Sequence, residues 1–447
     1  MPEKIANQKI IERSLASVWH PCTQMKHHEQ FPLVAIARGE GAWLIDFEGK
    51  RYLDAVSSWW VNLFGHANPR INAALKNQLD QLEHVMLAGF THEPVVQLSE
   101  RLAKLTGLGH AFYGSDGASA VEIALKMSFH YWRNTGKGDK KKFVSLQGSY
   151  HGETIGALSV TDVAIFRDAY GPLLNNNLRV PFPVNENAEP ASTRITEANS
   201  PGNRDSASVS LENLLAERHH EIAAFIIEPL VQGAAGMRMY HPGYLSRARA
   251  LCDQYDVHLI ADEIMTGFGR TGSMFAYEQA AIVPDLVCLS KGLTGGYLPL
   301  SCVLSSDAIY AAFYHDDVTR GFLHSHSYTG SALACRAALA TLDIFESDAV
   351  IASNYGKAKR FSMYAEAIRQ HKNVENFRHL GMIWAFEVKA PQPTFAREFF
   401  AASLKRGALL RPIGNTVYFM PPYVIEEDEF SWLVEQTIAV INEVCPQ

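Results

Sequence analysis

LIADEIMTGFGRTG (259–272) and DLVCLSKGLTGG (285–296) decide how this chain is read. Each opens on a short apolar run. Asp262 closes the first run, and Lys291 follows the second. Runs that are apolar on both faces fit strands buried in a parallel sheet. In open sheets of that kind, ligands bind beyond the carboxyl ends of the strands. Asp262 and Lys291 are therefore expected to point into one crevice. An acid and an amine converging there are what pyridoxal phosphate requires. The lysine condenses with the aldehyde, and the carboxylate keeps the pyridine nitrogen protonated so that the ring accepts electrons. Taken singly, Lys291 reads as a surface lysine and Asp262 as a helix cap. Gly267 to Gly272 also spells G-x-G-x-x-G, a dinucleotide-binding spacing. It lies past the strand rather than at its end, and with 31 glycines in the chain a chance match is unsurprising.

Apolar runs at Phe143–Leu146 and Ala223–Ile227 read as buried strands beside the two above, Val257–Ala261 and Leu286–Leu289. Ala118 to Asn134 reads as a helix with Ala120, Ile123, Ala124, Met127 and Tyr131 on one face. Glu122 and Lys126 are spaced as an i,i+4 pair, and Gly136 follows as a stop. Alternating strands and helices predict an α/β domain. From about Gly330 the character changes. A long helical stretch to about Gln370 is followed by strand-like pieces at Ile383–Val388 and Thr416–Phe419 and a closing helix, Asp428 to Glu443. The expected division is an N-terminal segment 1–64, with short strands near Ala42–Asp46 and Arg51–Asp54, packing with a small α+β domain 330–447. A large α/β domain takes 65–329. Within it, 184–210 is polar and without apolar periodicity, and is expected to be a surface loop.

The chain has 447 residues, 47% hydrophobic and 19% charged, which suffices for a large core in two or three domains. A net charge of −7 offers no field for nucleic acid or anionic membrane. The six cysteines form no C-x-x-C pair, so neither a disulfide framework nor a zinc site is indicated, and no metal is expected. The start, MPEKIANQKIIERS, lacks the apolar stretch of a secretory signal, and no run approaches the ~18 residues of a membrane span. The expectation is a cytoplasmic enzyme acting on small molecules.

Several further motifs fit the same cofactor. Gly114-Ser-Asp-Gly117-Ala118-Ser119 precedes the helix, where backbone N–H groups and the helix dipole favour a phosphate. Ser149-Tyr150-His151-Gly152 follows a buried strand, and the Tyr150 ring could stack on a pyridine. Glu228 ends the strand AAFIIE, a position equally suited to a structural carboxylate. His324-Ser325-His326-Ser327 has an H-x-H spacing but no third ligand at a characteristic distance.

Together, the Asp-Glu at 262–263 and the Ser-Lys-Gly at 290–292 match the signature of the class III pyridoxal-phosphate aminotransferases, and the chain resembles that family over nearly its whole length. The resemblance implies a fold-type I transferase with a large, mostly parallel-sheet domain and a smaller α+β domain. It implies that Gly117 and Ala118 bind the cofactor phosphate, with Ala118 lacking the hydroxyl of the family's frequent serine. It implies that Tyr150 stacks on the cofactor, that Glu228 lies at the cofactor edge, and that Asp262 and Lys291 act as above. Ser327 stands where the family binds the phosphate of a second subunit, which implies a homodimer; His326 replaces a proline there. Ser57-Ser-Trp59-Trp60, Trp19-His-Pro-Cys22-Thr23, Gly236–Pro242 and Met420-Pro-Pro-Tyr423 are similar to a narrower branch that serves biotin biosynthesis. That branch implies transfer of an amino group to 8-amino-7-oxononanoate from S-adenosylmethionine, with lysine the other donor open to it. Trp59, Trp60, Tyr150, Lys291 and Ser325 would line the substrate site, Arg411 would hold the substrate carboxylate, and Tyr418 would line the donor side. Cys22 replaces the branch's pocket tyrosine, which bears on the acceptor site. The alternatives are a class III transaminase acting on an ω-amino acid or a diamine, a pyridoxal-phosphate isomerase or aminomutase, and a non-enzymatic interaction protein on the same scaffold.

Overall fold

A computed structural model describes residues 6–29, 31, 33–184, 206–390 and 392–445. The described chain falls into two compact units. One lies within Arg70–Tyr355 and Arg378–Gly381; the other lies within Met1–Pro69, Gly356–Phe377 and Met382–Gln447.

The larger unit is built on a seven-stranded sheet. Its strands are β1 (His110–Gly114), β2 (Lys142–Leu146), β3 (Leu178–Val180), β4 (Ile222–Ile227), β5 (His258–Asp262), β6 (Leu286–Leu289) and β7 (Ser301–Ser305), in the spatial order β1-β7-β6-β5-β4-β2-β3. All neighbours pair in parallel except β7, which is antiparallel to both β6 and β1. Strands β4 to β7 are buried along their whole length. Phe225, Ile260 and Val287 are fully buried, each worth roughly 1.5–3 kcal/mol of burial at most.

Helices α1 (Glu93–Thr106), α2 (Gly117–Asn134), α3 (Pro242–Gln254) and α4 (Ala332–Ser347) belong to the same unit. Ala120, Ile123, Ala124 and Met127 of α2 pack into a core with Ile226, Ile260, Leu286 and Val303 of the sheet. Gly136, at φ +81°, follows the end of α2. The i,i+4 pair of α2 does not form. Glu122 instead accepts hydrogen bonds from Thr154 Oγ1 (2.6 Å) and the Gly156 N–H (2.7 Å), while Lys126 Nζ reaches His324 Nδ1 (2.8 Å). Each charge finds its partner on a neighbouring loop instead.

The long helical stretch expected from Gly330 to Gln370 is two helices, α4 and Val350–Arg369, broken where Ala349 takes φ +45°. The first half stays with the larger unit, where Arg101 of α1 pairs with Asp343 of α4 at 2.7 Å, so residues 330–355 lie outside the smaller unit. Of the loop expected at 184–210, residues 185–205 lie outside the described residues, and 206–210 form the first turns of the helix Ser206–Arg218.

The smaller unit contains the strands Ile36–Glu40, Trp43–Asp46, Arg51–Asp54 and Ala408–Leu409 in one sheet. Ile383–Val388 pairs antiparallel with Thr416–Phe419 in another. The closing helix is Glu427–Val444, capped by a reciprocal pair of Glu426 and Glu429 hydrogen bonds.

Candidate active site

Strands β4, β5 and β6 lie side by side and parallel, with Ile227 opposite Ala261 and Asp262 opposite Cys288. Their carboxyl ends therefore carry Glu228, Asp262 and Lys291 to one edge of the sheet. Asp262 is 4% exposed. Its Oδ1 accepts the Ile264 N–H (3.2 Å), and its Oδ2 sits 2.7 Å from Nδ1 of His151, itself buried. With the proton on Nδ1, His151 donates to the carboxylate and orients it. The Nε2 of His151 has no hydrogen-bond partner among the described residues.

Glu228 is buried and accepts the N–H of Tyr150 and of Gly233, both at 3.0 Å. Burial pushes its carboxyl up to about 7, with His151 pulling the other way. Lys291 is half-buried and held at φ +45°. Desolvation lowers its amine from the usual lysine value, opposed by the charges of Asp262 and Glu228. An amine shifted in this direction is a better proton acceptor at neutral pH.

The start of α2 lies against the same edge. Asp116 caps the helix, its Oδ1 accepting the Ser119 N–H at 2.9 Å. The N–H groups of Gly117 and Ala118 have no intrahelical acceptor, as at any helix start. A Cβ on Gly117 would stand 3.0 Å from Ile264, two residues past Asp262. A Cβ on Gly152, at φ +121°, would stand 2.6 Å from that of Ala118. Glycine at 152 thus lets the Tyr150-His151 loop close onto the helix start. Tyr150 donates its phenol to Glu153 (2.9 Å) and meets Phe166 edge-on at 5.3 Å. Ser325 and Ser327 are exposed, and neither makes a hydrogen bond to the Asp262 cluster among the described residues. Between them His326 Nε2 lies 3.1 Å from His324 Nε2. The described residues contain no cluster of three or more metal-ligating side chains.

The smaller unit holds Cys22, Trp59, Trp60, Arg411 and Tyr418. Residues 57–60 form one hydrogen-bonded turn of left-handed backbone, with φ of 51°, 46°, 71° and 73°. None is glycine, and such a conformation costs roughly 1–2 kcal/mol per residue. Trp60 is buried and donates its indole N–H to Tyr418 Oη at 3.1 Å. Burial pushes the Tyr418 phenol up to about 12. Trp59 is 43% exposed, and the Arg411 guanidinium lies over its ring, 4.7 Å from the centroid. Arg411 Nη2 also reaches the Cys22 carbonyl oxygen at 3.5 Å, and the Cys22 side chain is exposed.

The family model for class III aminotransferases matches residues 23–441. The chain is a class III aminotransferase. Among its relatives, the adenosylmethionine-8-amino-7-oxononanoate aminotransferase of Helicobacter pylori is 47% identical, over 98% of both chains. The enzyme of that name from Anoxybacillus flavithermus is 40% identical over 98% of this chain and 97% of its own. The crystal structure of the Methanocaldococcus jannaschii enzyme of that name superposes with a TM-score of 0.90 at 35% identity, covering 98% of this chain and 100% of its own. An ω-transaminase from Pseudomonas jessenii, solved in complex with PMP, gives 0.88 at 28% identity over 97% and 98%.

Class III aminotransferases depend on pyridoxal phosphate, and the donor set of the larger unit fits that group. A buried carboxylate suits a protonated pyridine nitrogen, a desolvated amine suits the aldehyde, and helix-start N–H groups suit the phosphate. The G-x-G-x-x-G spacing at 267–272 forms irregular turns rather than the opening of a helix, so it has no dinucleotide-binding geometry in this aminotransferase. Reading the sequence missed Asp54, the buried acid beneath the left-handed turn. Nothing in Ser57-Ser-Trp-Trp announces that backbone, since no glycine or asparagine marks it.

Proposed function

We propose that this aminotransferase takes the amino group of S-adenosylmethionine and passes it to 8-amino-7-oxononanoate, giving 7,8-diaminononanoate. The observation that carries the chemistry is the convergence of a histidine-held Asp262 with the desolvated Lys291 at one sheet edge. The substrate pair comes from the names of relatives that match end to end.

When bound, pyridoxal phosphate supplies an electron sink for the carbon that bears the amino group. Asp262, oriented by His151, holds the proton on the pyridine nitrogen. Lys291 takes the proton from the amino-bearing carbon of the donor, and returns one to the acceptor carbon in the second half-reaction. The N–H groups of Gly117 and Ala118 hold the phosphate. The Tyr150 ring flanks the pyridine, and Glu228 supports Tyr150 through its backbone N–H. Arg411 holds a substrate carboxylate with its two-pronged donor face. Trp59, Trp60 and Tyr418 exclude water from an aliphatic chain, and Cys22 leaves more room than the branch's tyrosine. Ser325 contacts substrate, and Ser327 serves the phosphate of a second copy in a cytoplasmic homodimer.

Incubating the purified holoenzyme with both substrates and measuring 7,8-diaminononanoate by mass spectrometry tests the reading. Product that requires S-adenosylmethionine supports it. Amino transfer only from an ω-amino acid or a diamine would reassign the substrates. Conversion of a single substrate with no separate donor would point to an isomerase.

A further inference from the structure

The left-handed turn at 57–60 is braced by the buried carboxylate of Asp54. We propose that Asp54 is a positioning residue for substrate recognition, acting through the turn on Trp59 and through Trp59 on Arg411. The proposal rests on the reading of Arg411 as the group that binds the substrate carboxylate.

Asp54 is fully buried. Its Oδ1 accepts the Ser58 N–H at 2.9 Å, and its Oδ2 accepts the Ser58 hydroxyl at 2.7 Å. Both bonds run to a residue whose φ of 46° a serine rarely adopts. Oδ2 also lies 2.9 Å from His66 Nε2. The tautomer of His66 follows from its other neighbours. The Gly65 N–H donates to Asn62 Oδ1 (2.8 Å), which turns the Asn62 amide NH2 toward His66 Nδ1 (3.1 Å). Nδ1 therefore accepts, and Nε2 carries the proton that Asp54 receives. Each of the three groups facing Asp54 is a donor, so only a carboxylate satisfies them all. Ser57 adds a second anchor, its hydroxyl donating to the Met420 carbonyl at 2.7 Å.

The strand that ends at Asp54 explains why this brace reaches Arg411. Ala408–Leu409 pairs in parallel with it, Leu409 lying opposite Asp54. The turn and Arg411 thus leave from neighbouring strand ends, and Trp59 bridges them with its ring beneath the guanidinium. Among the described residues no carboxylate pairs with Arg411. Its orientation rests on Trp59 and on a long hydrogen bond to the Cys22 carbonyl. A turn released from Asp54 would let Trp59 move and leave the guanidinium without its support.

The test is a double-mutant cycle on the full-length holoenzyme, with kcat and KM measured for 8-amino-7-oxononanoate at saturating donor. The visible absorption of each variant checks that cofactor is loaded. Arg411→Ala is expected to raise KM by about tenfold or more, and Asp54→Asn by roughly three- to tenfold with kcat within about twofold. The double variant is expected to match Arg411→Ala alone, because Asp54 has nothing left to position. Ser58→Ala, which keeps the buried carboxylate, enters the same cycle if Asp54→Asn does not fold, and is expected to shift KM in the same direction. Effects that add in the double variant, or a fall in kcat at unchanged KM, would overturn the proposal and leave Arg411 as the carboxylate binder. An unchanged KM in Arg411→Ala would overturn that reading of Arg411 and this proposal with it.

Discussion

Lys291 sits at φ +45°, two residues past the end of a strand with no exposed residue, and the amine it carries is shifted toward the neutral form. Lys291→Ala is expected to lower kcat by at least about a thousandfold, because it removes the amine that moves the proton. Single-turnover rates measure it. Asp262→Asn keeps the shape but loses the charge, and a fall in kcat of roughly a hundredfold or more is expected. His151→Phe removes the donor to Asp262 and should produce a smaller fall in the same direction, together with weaker cofactor retention. The placement of Asp262 and Lys291 at one sheet edge was legible in the sequence, because an apolar strand closing on an acid and another followed by Ser-Lys-Gly bring both to the carboxyl ends of neighbouring strands. Asp54 was not legible. It hydrogen-bonds a left-handed turn of four ordinary residues, which no glycine or asparagine marks in the sequence.

The elements show the same division. Strands β4 and β6 are uninterrupted apolar runs, β5 is apolar between His258 and Asp262, and burial on both faces makes such runs readable. β7 turned antiparallel, which its composition does not encode. No glycine or proline marks the break at Ala349, so nothing local in the sequence separates the two helices there. Just past β5, Glu263 is fully buried and ties the following turns to the strand. It accepts the Thr266 hydroxyl at 2.6 Å and the Tyr277 N–H at 2.9 Å. Burial pushes its carboxyl up from 4.5 to about 7. A raised carboxyl stabilises the fold below its unfolded value, and that contribution is lost as pH rises through the folded value. The loss from this one group between about pH 4.5 and 7 is on the order of 3 kcal/mol. Glu263→Gln should therefore gain stability relative to the parent as pH rises across this window. Urea midpoints at pH 5 and pH 8 measure it, and a constant difference between the two proteins would contradict it.

At the scale of the whole molecule, the likeness to class III aminotransferases runs from residue 23 to 441 and takes in both compact units. The fold class was legible because strand and helix runs alternate through the larger unit. The placement of 330–355 was not, because a helix packed on α1 reads in sequence like any other apolar helix. A cofactor that binds only the folded chain should stabilise it by about 2.7 kcal/mol when present at a hundred times its Kd, seen as a rise in Tm with added pyridoxal phosphate. The most direct measurement is the visible absorption of the purified protein with pyridoxal phosphate, recorded before and after S-adenosylmethionine and again after 8-amino-7-oxononanoate. A yellow protein that bleaches with the first compound and regains colour with the second, with Lys291→Ala doing neither at a comparable rate, is the predicted result. A protein that stays colourless with added pyridoxal phosphate, or a Lys291→Ala variant that cycles as fast as the parent, would contradict it.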